Sequence, residues 1–207
     1  MEEKLPLAID LDRVKGFLDP AEGEALYDAA LGAAVLGPVV EIGAYCGKSA
    51  LYLGAACKQR GATLFSIDHH RGSEENQPGW EYHDPDLWDA QAGSLDTLPH
   101  FRRNIRAAGL EDNVVAVVGR SETIAAAWGA PLGMLFIDGG HSMTAALADY
   151  HGWATKLAAG GILAIHDVFP NPADGGRPPY EIYQLACQSS LFEETAAIKS
   201  LRILKRL

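Results

Sequence analysis

One stretch constrains this chain more than any other: Val39-Val40-Glu41-Ile42-Gly43-Ala44-Tyr45-Cys46-Gly47-Lys48-Ser49-Ala50. An apolar run that ends in glycine and passes at once into helix-opening residues predicts a parallel strand feeding a tight turn, with backbone N–H groups facing a ligand. Glycine spacing limits which ligand. A dinucleotide fingerprint needs G-x-G-x-x-G, whereas three residues separate Gly43 from Gly47. A P-loop needs four residues before G-K-[ST], and Gly43 to Gly47-Lys48-Ser49 leaves three. A P-loop-like nucleotide hydrolase stays in view all the same, because Met134-Leu135-Phe136-Ile137-Asp138 has the form of such an enzyme's acidic strand. Glu41 decides against it. A carboxylate two residues before the first glycine repels phosphate but suits a ligand carrying an ammonium and a sulfonium, and S-adenosyl-L-methionine (SAM) carries both.

Glu41-x-Gly43-x-x-x-Gly47-x-Ser49 resembles the first motif of class I SAM-dependent methyltransferases, and Gly43 to Ala50 is similar almost residue for residue to the loop of the catechol O-methyltransferase family. The resemblance spans Val39 to Val168. It implies a doubly wound, Rossmann-like α/β fold with a mostly parallel seven-stranded sheet and a C-terminal antiparallel hairpin. It also implies a cofactor site at Glu41, Gly43, Ala44, Tyr45, Gly47 and Ser49, with Asp68 on the ribose beside His69. Ser121 and Glu122 would border the adenine, and Asp138 would face the cofactor as well.

Length and composition agree with one folded domain over residues 1–207. Apolar residues make up 48% and charged ones 21%, a globular balance. The net charge of -10 argues against nucleic acid or an anionic membrane as partner. Cys46, Cys57 and Cys187 are odd in number and fit no metal spacing; with no signal peptide or membrane-length apolar run, a reducing cytoplasm is expected.

Local signals place the elements. Asp19-Pro20-Ala21-Glu22 predicts a capped helix running to about Leu36, ended by Gly37-Pro38. A second helix runs from Lys48 to Arg60, with Gly61 as its cap. Thr63 to Ile67 is a strand ending in Asp68, where doubly wound folds hold ribose hydroxyls. His69 to about Leu98 is a long polar segment carrying Trp80, Tyr82 and Trp88, which predicts an ordered acceptor lid. Aromatics mixed with carboxylates and amides suit a sugar ring; a lid or dimer contact touching no acceptor is the competing reading. His70, His83, His100 and His151 have no partner visible in sequence and are expected in the lid or on the surface. A helix on Phe101, Ile105 and Ala108, a strand over Asn113 to Val118 and a strand over Met134 to Ile137 follow. Leu147, Tyr150, Ala154 and Leu157 mark a helix closed by Gly160-Gly161, before the strand Ile162 to Ile165 and a rim loop over Pro170 to Pro179. An antiparallel pair after Phe192 ends the chain and leaves room for a homodimer.

Gly43, Asp68, Ser121, Asp138, His141, His166 and Asp167 all fall at strand ends on one rim, where open α/β sheets bind ligands. The family resemblance implies a metal held by an acid after the fourth strand and two polar residues after the fifth. Here these are Asp138, His166 and Asp167, with Mg²⁺ or Mn²⁺ as the ion. A histidine at 166 shifts preference from Mg²⁺ toward Mn²⁺, Fe²⁺ or Zn²⁺, or takes no part in ligation. The family's general base lies three residues after the first acid, which is His141; an imidazole accepts a hydroxyl proton at neutral pH.

The expectation is therefore a metal-assisted SAM-dependent O-methyltransferase acting on a small hydroxylated acceptor, a sugar before a catechol or phenol. The chain also resembles actinobacterial enzymes that methylate mannose units of polymethylated polysaccharides. A non-catalytic SAM-binding module is the alternative of another class, and predicts bound cofactor without turnover.

Overall fold

The computed structural model describes Leu7 and residues 9–73, 76–80, 82–140 and 142–207. In chain order the elements are α1 (Pro20–Ala33), β1 (Val39–Ile42), α2 (Lys48–Arg60), β2 (Leu64–Asp68), the two-residue strands β3 (Trp88–Asp89) and β4 (Ser94–Leu95), α3 (Leu98–Ala107), β5 (Val114–Val118), α4 (Ser121–Ala127), β6 (Leu132–Ile137), α5 (Met143–Trp153), β7 (Leu157–Ile165), α6 (Pro178–Gln188), β8 (Phe192–Ile198) and β9 (Leu201–Arg206).

The main sheet runs β5-β2-β1-β6-β7-β9-β8. Pairing is parallel from β5 through β7, and β9 is antiparallel to both of its neighbours. Alternation along the central strands divides the core between the two faces. Val39, Met134 and Phe136 pack with Leu26 of α1 and Leu51 of α2, while Val40, Leu135 and Ile137 pack with Trp153 of α5 and Ile182 of α6. This is the doubly wound α/β fold expected from the sequence.

Helix α1 starts where the sequence predicts. The Asp19 carboxylate accepts from the Ala21 N–H at 2.9 Å, and Glu22 completes the reciprocal cap. It stops at Ala33, short of Leu36. Helix α2 matches the expected bounds, with Gly47 before it and Gly61 after it at positive φ, where a Cβ is disfavoured.

Two expectations are corrected. Leu157 opens β7 rather than closing α5, and Gly160-Gly161 lie inside that strand, where its register with β6 shifts. A bulge lets Gly160 take φ +79, so glycines that look like a helix stop are strand residues. The chain after Pro178 forms α6, with proline in its first turn.

The polar segment after β2 is pinned at several points. Leu87 and Leu95 are buried with Cys46, β3 and β4 form a small ladder, and Lys15 bonds the Asp86 carboxylate at 3.0 Å and also pairs with Asp84. Edge strand β8 exposes Glu193 and Glu194, charges that oppose edge-to-edge pairing at the C-terminal hairpin. Among the described residues, no helix is long and apolar enough to cross a membrane.

Candidate active site

The parallel strands β1, β2 and β6 and the adjoining β7 deliver their carboxyl ends to one rim. Gly43 sits at its centre with φ +90, and a Cβ there would stand 1.9 Å from the Asp138 carbonyl oxygen. The β1 turn and the β6 end thus touch backbone to backbone, which fixes where Asp138 lies relative to the glycine loop.

The loop's own N–H groups are largely satisfied internally. Asp68 Oδ2 accepts from the N–H groups of Ala44 and Tyr45 at 2.9 and 2.8 Å, and its Oδ1 accepts from the His70 N–H at 2.7 Å. The Gly43 and Gly47 N–H groups donate to Ile67 and Ala44 carbonyls. This corrects the expectation of an open N–H cradle: Asp68 clamps the loop and keeps only its remaining lone pairs for any other partner. It also removes the P-loop alternative, because a carboxylate already stands where a phosphate would need those donors.

Glu41 is corrected in its placement. Its carboxylate is fully enclosed, accepting from the Ser49 hydroxyl at 2.8 Å and from the Ser66 hydroxyl. None of it is exposed to a ligand in the cleft. Burial pushes its pKa up to about 7, the serine hydroxyls opposing and the Asp138 and Asp68 charges adding to the rise. Ser49 serves Glu41 rather than facing outward. Tyr45, half-buried at φ 45, packs its ring 5.8 Å from Phe17. Cys46 is buried, and burial pushes its thiol up to about 12, so it is inert.

After β5, Arg120 takes the N-cap position of α4 and Ser121 the first helical one. The Ser121 hydroxyl accepts from Trp153 Nε1–H at 2.9 Å and donates to the buried Asp149 carboxylate, while Glu122 is exposed. Asp149 also lies against Gly139, and burial pushes its pKa up to about 6 against the Ser121 hydrogen bond. His69 is exposed at the end of β2, and its Nδ1 accepts from the Arg71 N–H at 3.1 Å. His70, expected in the lid or on the surface, is buried against Phe101 with Nδ1 2.7 Å from the Thr97 hydroxyl.

The sequence-predicted metal ligands converge. His166 Nδ1 lies 3.0 Å from Asp138 Oδ1 and 3.4 Å from Asp167 Oδ1, and the three donor atoms fall within 4.8 Å of one another. Neighbouring donors about 2.1 Å from a small divalent ion stand roughly 3 Å apart, close to the two separations at His166 Nδ1. Behind it, His166 Nε2 lies 2.9 Å from Glu22 Oε2. Burial lowers the imidazole pKa, but Asp138, Asp167 and Glu22 together outweigh it and raise it overall. Three carboxylates around one neutral ring give the cluster a formal charge of minus three, most of which a divalent cation would offset. His141 lies outside the described residues.

Sequence reading missed Glu22, Asp149 and Ser66 as site residues. Glu22 was visible only as half of a capping box, its partner 144 residues away. Asp149 had a signal, an acid on the helix face that carries Ala146, Tyr150 and Trp153. Phe17, 67% exposed, joins the rim through Tyr45 and through Tyr82, 5.4 Å away edge-on.

A family described as "Methyltransferase domain" matches residues 40–168. Among solved structures, the fold is similar to the O-methyltransferase NovP (TM-score 0.67, 16% identity, covering 90% of this chain and 78% of that one). It is also similar to a putative caffeoyl-CoA O-methyltransferase from Staphylococcus aureus (TM-score 0.65, 10% identity, 93% and 86%). A third is the O-methyltransferase TomG from Streptomyces achromogenes in complex with SAM (TM-score 0.61, 17% identity, 92% and 81%).

Proposed function

Since this chain belongs to the methyltransferase domain family, we propose that it is a SAM-dependent O-methyltransferase for a small hydroxylated acceptor, assisted by a divalent metal. The observation that carries the reading is the gathering of Asp138, His166 and Asp167 on the rim that also holds the Asp68-clamped glycine loop. A non-catalytic SAM-binding module has no use for that second cluster.

Methyl transfer from a sulfonium is an in-line displacement at carbon, so the protein must align an acceptor oxygen and raise its nucleophilicity. The glycine loop, Asp68 and the Ser121–Glu122 turn would hold the donor. Asp138, His166 and Asp167 would hold the metal, which supplies Lewis acidity that lowers the acceptor hydroxyl pKa. With a nitrogen in the donor set, Mn²⁺ or another borderline ion suits the site better than Mg²⁺. His141, three residues beyond Asp138, would take the hydroxyl proton; His141→Ala should cut turnover about 100-fold or more, and wild-type turnover would reject it as the base.

A sugar is the favoured acceptor. Trp80 and Tyr82 are 54% and 45% exposed on the polar segment, offering faces for the C–H side of a ring beside amides and carboxylates. A mannoside of the kind methylated in polysaccharide synthesis fits this reading, and a catechol or phenol is the second choice. Calorimetry with S-adenosylhomocysteine, with and without Mn²⁺, followed by a screen of sugar and catechol acceptors, tests cofactor, metal and acceptor in turn. Triphosphate binding in place of S-adenosylhomocysteine would reject the proposal.

A further inference from the structure

We propose that Glu22, at the start of α1, is a positioning residue that decides which ring nitrogen of His166 is free to hold the metal ion. The inference rests on the metal-assisted reading above and assigns the site a part that lies outside the strand-end motifs. His166 stands between two environments. Its Nδ1 faces Asp138 and Asp167 at the rim, and its Nε2 faces inward to Glu22 Oε2 at 2.9 Å. Nδ1 can offer a lone pair to a cation only when the ring proton sits on Nε2. That needs an acceptor at Nε2, and an ionised carboxylate is an acceptor only.

The other oxygen of Glu22 is not free to turn away. Oε1 accepts from the Ser200 N–H at 2.8 Å, the Ser200 hydroxyl at 2.8 Å and the Leu201 N–H at 3.1 Å. The turn entering β9 therefore pins the carboxylate, and the carboxylate pins the imidazole. Outer carboxylates that orient a ligating histidine change metal affinity by about 10–100-fold when removed. Here the arrangement makes a sharper prediction for Glu22→Gln. Three donors at the Oε1 position hold the amide oxygen there, so the amide N–H must face His166 Nε2. That nitrogen then becomes the acceptor, the ring proton moves to Nδ1, and the metal-facing lone pair is lost.

The test is Mn²⁺ titration followed by electron paramagnetic resonance, with wild type and Glu22→Gln, alongside ¹⁵N NMR of the His166 ring in the Mg²⁺-loaded wild type. Wild type should bind Mn²⁺ and hold the Nε2–H tautomer with Mg²⁺. Glu22→Gln should bind Mn²⁺ at least 10-fold more weakly with unchanged S-adenosylhomocysteine affinity. Equal Mn²⁺ affinity in the variant overturns the role of Glu22 while leaving the metal site standing. Absence of Mn²⁺ binding in wild type overturns the metal reading and this inference together. Should Glu22→Gln fail to fold, the wild-type tautomer still decides: an Nδ1–H ring in the Mg²⁺-loaded protein refutes the inference.

Discussion

Replacing Glu41 by glutamine should stabilise this protein at alkaline pH, and the size of the gain follows from its burial. The carboxylate has no exposure, and its pKa stands at about 7 rather than 4.5, chiefly from loss of hydration. At about 1.4 kcal/mol per pH unit, this amounts to about 3 kcal/mol. The sign follows from proton binding. Between pH 4.5 and 7 the folded chain holds a proton on Glu41 that the unfolded chain has released, so stability falls as pH rises through this window. Below it the penalty is absent, and above it the penalty is complete. Glutamine keeps the shape, with an oxygen that accepts from one of the Ser49 and Ser66 hydroxyls and an amide N–H that donates to the other, but carries no charge. Glu41→Gln should therefore gain about 3 kcal/mol at pH 8, or about 6–12 °C in Tm for a chain of this size, and less than about 1 kcal/mol at pH 5. Urea denaturation at both pH values measures it. A gain that is absent at pH 8, or equal at pH 5 and pH 8, refutes the claim that burial raises this pKa. The same variant should bind SAM more weakly, because the charge beneath the loop is gone; unchanged affinity would separate Glu41 from donor recognition.

Gly43→Ala should cost about 3 kcal/mol or more, combining backbone strain at φ +90 with a clash against the Asp138 carbonyl. Gly61→Ala, at φ +65 with open space around it, should lose only about 1 kcal/mol by the same urea assay. Trp80→Ala should raise the acceptor KM several-fold while leaving S-adenosylhomocysteine affinity unchanged, as read from initial rates and calorimetry; an unchanged KM means the segment touches no acceptor.

The chain's local chemistry was legible from sequence. Asp19 and Glu22 announced α1, Gly47 and Gly61 bracket α2, and the apolar runs ending in Asp68 and Asp138 are strands, because caps, glycine turns and side-chain period act within a few residues. Signals that depend on a neighbour were misread. Gly160-Gly161 resemble a helix stop, yet they lie in β7, where the pairing with β6 shifts register, and pairing is invisible to local composition.

The same division holds at the site. Sequence alone determined that a glycine turn with acids at the following strand ends would form one rim, since a parallel sheet sends every strand's carboxyl end the same way. Only the tertiary structure decided what each acid does there. Packing sealed Glu41 beneath the loop, turned Asp68 onto the loop's N–H groups and brought Glu22 behind His166. Those roles follow from which groups lose water and which partners remain in reach, and that is fixed by contacts across the whole length of the chain.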